Sequence, residues 1–372
     1  MLDADWPEIW WQSITGPRSV VNSIADALRD AKQVVLAIPN DLPWRHEMRL
    51  AVASEIQSTA GNVSIKKVDA SDMVAEGQAP GEFLLERYAL RSSRLSYRAG
   101  RLTIQDYLIR ERVLANTLVW VKGLGRDGYA DWIEFCCGYN ASSVADGAFV
   151  IEAAGIDEAP PSNFEHIDYE ALVGRYDAQL YNSLVLSGEG FAGYSDAWKR
   201  YIATALTNLC GADVEVATEL LQSANLKEEN LIDLLSDLAC SPGFARRGAR
   251  DESSHPFALC RCGNTDELKR KLWDAQVEVL FPLIESERLT ILDALADQLV
   301  LLLADGYVEQ FGGTVAGVDD IELGTLTYLM GSGQLDVPDR NLRERIFLLR
   351  DCRNKLAHRE CCDQESVARL LG

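Results

Sequence analysis

The sequence predicts an α/β amino-terminal domain with a mostly parallel sheet, then an all-α middle region and an all-α helical bundle at the carboxyl end. Three observations carry that prediction. Short β-rich runs alternate with helical patterns up to about residue 157, as in βαβ units. Pro160 and Pro161 then punctuate the chain as a linker would, and no run from there to about residue 263 alternates as a strand would. The 372 residues are 47% hydrophobic and 25% charged, an ordinary globular composition with enough chain for two or three cored domains. The expected domains are 1–157, 158–263 and 264–372.

In the first domain, SVVNSIADALRD (19–30) carries apolar side chains at helical spacing. QVVLAIP is apolar without alternation and stops at Pro39, the pattern of a strand buried on both faces. Asn40 and Asp41 are candidate caps for a helix in LPWRHEMRLAVASEIQ. VSIKKVDA, NTLVWVKGL and GAFVIEA are the other expected strands, with helices in LTIQDYLIRERVL and DWIEFCCGYN between them. The middle region reads as helices in DAWKRYIATALTNLC, EVATELLQSA and LIDLLSDLAC, then a polar loop over 241–256. In the last region, 265–304 is a long amphipathic stretch, two helices or one kinked at Pro282. IELGTLTYLMG, a helix capped by Asp339, and QESVARLL complete the bundle.

A net charge of -21 argues against a broad basic surface for long duplex DNA, though it leaves room for RNA at a local basic site. No run of about 18 apolar residues occurs, so no membrane partner is expected. The acidic start, MLDADWPEIWWQ, lacks the basic and apolar regions of a signal peptide. Nine cysteines, with Cys136–Cys137 and Cys361–Cys362 adjacent, suit a reducing compartment better than a disulfide framework. A cytoplasmic location is expected.

Several candidate sites are weak. The turn after VVLAIP holds Pro, Asn, Asp, Leu and Pro, where a phosphate loop needs glycines and a lysine. Lys122, Gly123, Gly125 and Gly128 follow the strongest strand, where open α/β sheets bind ligands, but a plain turn explains them. His255, Cys260 and Cys262 fall one ligand short of a zinc site. No metal and no cofactor is called for. No G-x-S-x-G elbow occurs, and His46, beside Trp44 and Arg45, reads as a packing or surface residue.

The informative stretch is LLRDCRNKLAHRE, 348–360. On a helix, Leu342, Ile346, Leu349 and Leu356 form one stripe facing a core, with Arg353 on or beside it. An arginine there needs an acceptor. Arg350, Asn354 and His358 share another face. Arg353 and His358 stand about 140° apart on an ideal helix, so they converge only if the helix distorts or a second copy contributes. Residues 340–359 hold seven basic residues, Arg340, Arg343, Arg345, Arg350, Arg353, Lys355 and Arg359, against Glu344 and Asp351. Such a patch can hold phosphate; the plainer alternative is a solvated face with carboxylate partners.

RNKLAH (353–358) resembles the R-N-x-x-A-H form of the motif of the HEPN superfamily, and the resemblance spans roughly 264–372. HEPN domains are small helical bundles that often form homodimers. Many are metal-independent endoribonucleases in prokaryotic defence and toxin systems, while others are noncatalytic RNA-binding or assembly modules. The resemblance implies that His358 is the general acid or base, that Arg353 stabilises phosphate charge and that Asn354 is the companion polar residue. Arg345, Arg350, Lys355 and Arg359 would contact RNA. Glu285 and Arg288 would orient the motif, or form a buried structural ion pair. The first domain is more loosely similar to ATPase-like domains of bacterial defence proteins, through its ITGP entry and VWVKGL strand, without the phosphate-loop glycines and lysine.

Three readings follow: a defence or toxin-like protein with a HEPN-type endoribonuclease domain, a noncatalytic subunit of a multiprotein defence complex that dimerises through the bundle, and a small-molecule enzyme built on the α/β domain, for which no catalytic set is visible.

Overall fold

The computed structural model describes residues 5–60, 63–141, 143–156, 158–223, 225–249, 255–304, 315 and 317–372. The chain divides into two compact units, Met1–Tyr181 and Asn182–Gly372.

The first unit is built on a five-stranded, all-parallel sheet: β1 (Gln33–Ile38), β2 (Ser64–Asp69), β3 (Thr117–Lys122), β4 (Ala148–Ala154) and β5 (Phe164–Asp168), in the order β2-β3-β4-β1-β5. The three inner strands are buried almost throughout, which is why their sequences are apolar without alternation. The edge strands differ. β2 exposes Lys66 and Lys67, and β5 buries only Phe164 and Ile167. Charged edges discourage pairing with a further chain.

Strand alternation sorts the core. Val119, Val121, Phe149 and Ile151 face one side and pack with Phe83, Leu108, Tyr129, Trp132 and Phe135. Trp120, Val150 and Glu152, on alternate positions, belong to the other face. The helices Thr15–Arg29 and Arg45–Ala60 pack against one another. Gly16 is fixed by a close approach: its N–H donates to Asp177 Oδ1 at 2.9 Å, and a Cβ there would meet the same carboxylate at 2.6 Å.

Four expected strands are present, and β5 is an addition. FEHID lacks a strand signature in the sequence because three of its five residues are polar. It becomes one by pairing in parallel with β1, Val35 opposite His166. The first unit therefore runs past residue 157, and Pro160 and Pro161 sit in the connection from β4 to β5, not between domains. The next helix starts at Arg45, and Asn40 and Asp41 lie in the preceding turn, with Asn40 beside Gly155.

The second unit has helices as its only regular elements among the described residues and takes in the expected bundle together with the expected middle region from residue 182 onward. Its main helices are Asp196–Cys210, Val214–Ser223, Leu231–Cys240, the long helix Thr265–Ala294, Ala296–Ala304, Leu323–Gly331, the motif helix Arg340–Ala357 and Gln364–Leu371. Pro282 lies inside the long helix, which is one element. The long helix packs against both Asp196–Cys210 and the motif helix. Of the expected loop over 241–256, residues 250–254 lie outside the described residues; it is flanked by a short turn of helix at Pro242–Phe244 and the helix Pro256–Arg261.

Candidate functional site

The motif helix begins as its sequence requires. Asp339 Oδ1 accepts from Asn341 N–H at 2.8 Å, a side-chain cap. Ile346, Leu349, Cys352 and Leu356 are buried on one stripe, the three large aliphatic side chains each worth roughly 1.5–3 kcal/mol when fully buried. The helix ends in two crossed hydrogen bonds: Glu360 N–H reaches Lys355 O at 2.8 Å and Arg359 N–H reaches Leu356 O at 3.2 Å. His358 is the last, half-in residue. Arg359 has φ +62, a left-handed conformation that a helix end normally gives to glycine. Strain of this kind is found at functional turns.

Arg353 faces one side of this helix. Its guanidinium meets Glu322 Oε2 at 3.4 Å, with both side chains substantially exposed, and Glu285 lies close enough to feel its charge. Arg288 shapes this corner. It is 8% exposed, and its Nη1 donates to the carbonyls of Asp319 and Ile321 at 2.8 Å each, which places the adjoining Glu322. Its Nε holds Glu285 at 3.0–3.1 Å, and the Glu285 carboxyl is held below its ordinary range by the Arg288 hydrogen bond. Glu285 and Arg288 thus form an ion pair at the Arg353 side of the helix.

His358 and Asn354 face elsewhere. They line an open groove of about 560 Å³ with Phe347, Asp351, Lys355 and Arg369. His358 is exposed, and its ring makes no hydrogen bond or ion pair with any described residue. The groove does not include Arg353. One chain therefore brings Asn354 to His358 and leaves Arg353 apart, as the helix angle requires.

Most of the expected basic patch is neutralised. Arg340 pairs with Glu344 (2.8 Å), Arg345 with Glu287 (2.5 Å), Arg350 with Asp351 (2.6 Å), Arg353 with Glu322 and Lys355 with Asp363 (2.7 Å). Arg345 also donates to the carbonyls of Arg369 and Leu370, so it ties down the carboxyl-terminal helix. Arg343 and Arg359 are the two cations of the seven with no pair among the described residues.

Sequence reasoning missed the side chains that hold the His358 turn. Trp273 Nε1–H donates to Leu356 O at 2.8 Å. Gln276, 1% exposed, accepts from Cys362 N–H at 2.8 Å and donates to Cys362 O at 3.1 Å. Both lie on the long helix, three residues apart. A tryptophan among the charges of TDELKRKLWDAQ is the one local signal; Gln276 carried none.

The remaining candidates are structural. Lys122 pairs with Asp69 at 2.5 Å, and Gly123 and Gly125 lie in the turn before the helix Arg126–Cys137, which contains Gly128. Hydrogen bonds from Lys122 and Ser71 lower the Asp69 carboxyl to about 2. His46 accepts from Lys67 at the surface (3.1 Å). His255 is committed on both ring nitrogens, accepting from Phe257 N–H at 3.1 Å and meeting Asp213 Oδ2 at 3.1 Å. Asp213 is also gripped by Arg247 at 2.6 and 2.8 Å. Burial raises the Asp213 carboxyl, yet His255 and Arg247 together outweigh it and lower it. No group of three or more metal-ligating side chains occurs among the described residues, and no helix there is long and apolar enough to cross a membrane. No family model matches the chain, and no curated protein sequence matches it either.

Proposed function

We propose that the helical unit is a HEPN-type endoribonuclease of a prokaryotic defence or toxin-like system, its active site completed between two copies of the chain. The observation that supports this reading best is His358: an exposed imidazole without a partner among the described residues, at the strained end of a capped helix, beside Asn354 in an open groove. The reaction asks for little. The RNA 2'-hydroxyl attacks the adjacent phosphate, an imidazole moves the proton, and a guanidinium meets the developing charge. Arg353 is the guanidinium for that role. Its pair with Glu322 is long and exposed, worth about 0–1 kcal/mol, so RNA phosphate can displace it. A twofold arrangement would set Arg353 of one copy by His358 of the other.

The test is incubation of the protein in EDTA with a mixed RNA pool that includes tRNA, beside Arg353→Ala and His358→Ala. Each variant should lose about 10²–10⁴-fold in cleavage. An equimolar mixture of the two variants should regain part of it, since one of the two composite sites is then intact. Cleavage that survives in His358→Ala would remove that residue from the mechanism.

A second reading, a noncatalytic subunit of a defence complex that dimerises through the same unit, is favoured by the carboxylates opposite the motif's cations. It predicts stable copurification with a partner protein and no cleavage of any RNA by the wild type.

A further inference from the structure

We propose that Cys352 and Cys362 are a paired oxidation site: hydrogen peroxide converts the two thiols into a disulfide that closes the chain around Arg353, Asn354 and His358. The proposal stands on the placement of the thiols and holds whether or not the unit cleaves RNA.

Cys352 is on the buried stripe of the motif helix, 1% exposed, and Cys362 follows the His358 turn, 4% exposed. The Cys362 thiol donates to the Cys352 carbonyl oxygen at 3.8 Å, and the two thiols are close enough that each shifts the ionisation of the other. Gln276 grips both backbone polar groups of Cys362, so that thiol is held toward the helix. Its neighbour Cys361 points elsewhere, its thiol donating to Lys269 O at 3.3 Å. Adjacent cysteines are thus sorted by the fold, one toward Cys352 and one away. All nine cysteines are free thiols, so this pair is available in the reduced state.

Reactivity needs a thiolate and a route. The neighbouring Cys362 thiol, with Lys355 nearby, lowers the Cys352 thiol despite its burial. Cys362, by contrast, is pushed up by its neighbour Cys352 and by burial. A cleft of about 1000 Å³, lined in part by Cys362, Cys361, Trp273 and Arg359, reaches the pair from the Cys362 side, with Cys352 directly behind. In the first step the Cys352 thiolate attacks one oxygen of the peroxide and the O–O bond breaks. That gives a sulfenic acid, and the departing hydroxide takes the thiol proton to become water. The Cys362 sulfur then attacks the Cys352 sulfur, the S–O bond breaks, and hydroxide leaves with the second proton as water. Two thiols are oxidised and one peroxide is reduced to two waters. The product ties the turn after His358 to the helix before Arg353.

The experiment is peptide mapping of the full chain after brief exposure to hydrogen peroxide and alkylation of the remaining thiols. Trypsin cuts after Arg350, Arg353, Arg359 and Arg369, so the link joins Asp351–Arg353 to Glu360–Arg369. The same map on Cys361→Ser removes the ambiguity between the adjacent cysteines, because its only thiol in the second peptide is Cys362. The expected result is the linked peptide in both proteins, reversed by dithiothreitol and missing when peroxide is added in urea to a chain already alkylated. Full alkylation of Cys352 and Cys362 after peroxide, while exposed Cys137 or Cys262 is oxidised, would overturn the proposal. So would a link that disappears in Cys361→Ser.

Discussion

In the first unit Glu152 lies on β4 with its side chain out of solvent, and Arg49 and Trp120 Nε1 close on it at 2.5–2.9 Å. Along the motif helix of the second unit, Arg340, Arg350 and Arg353 meet carboxylates of similar kind at the surface. The bonds look alike and their consequences do not. A buried carboxylate stripped of water leaves its partners costly if it is removed. An exposed pair trades one solvated state for another and stabilises little. Glu152 therefore belongs to folding, while the exposed arginines remain free to change partners, as a phosphate-binding role would require.

The comparison breaks first at Glu152. Glu152→Ala should destabilise the chain by about 3–5 kcal/mol, because Arg49 and Trp120 are left buried and unpaired. Urea unfolding followed by tryptophan fluorescence reads this, and a loss no larger than that of a surface variant would end the contrast. The second unit has its own buried case in Asp213, held by Arg247 and His255. Asp213→Ala should cost about 3 kcal/mol in the same assay, showing that depth and not the choice of unit sets the effect.

Smaller effects sharpen it. Arg359→Gly should stabilise by about 1 kcal/mol, since glycine takes the left-handed conformation without penalty; an unchanged midpoint would mean the turn is not strained. Arg353→Ala should change stability by no more than about 1 kcal/mol, while the proposed endoribonuclease role requires it to lose cleavage, separating its chemistry from its pairing. The smallest effect is the Asp69–Lys122 pair. The Asp69 carboxyl is lowered to about 2, so its contribution is complete above the unfolded value near 4 and fades as pH falls toward 2. Solvent screening holds it to about 0.5 kcal/mol, and Lys122→Met should flatten that slope on the acid limb of the stability profile, leaving the part that Ser71 supplies.

The inner strands were legible because a strand covered on both faces must be apolar at every position, and QVVLAI, TLVWVK and AFVIEAA are nearly so. β5 was not, because an edge strand keeps polar residues and owes its conformation to β1, more than a hundred residues earlier. On the motif helix the cap at Asp339 and the buried stripe were local patterns and could be read. The carboxylates opposite its cations could not. Glu322 and Glu287 arrive from 31 and 58 residues away in the chain, and composition counted only the charges on the helix itself.

The sequence by itself determined the class of each region, the run of the motif helix and the angular separation of Arg353 from His358. These follow from backbone periodicity, which neighbouring residues set. Only the tertiary structure decided which charges are neutralised, that Gln276 and Trp273 hold the His358 turn, and that Cys362 rather than Cys361 meets Cys352. Those depend on packing between helices far apart in the chain, and no local pattern encodes which side chains will meet there.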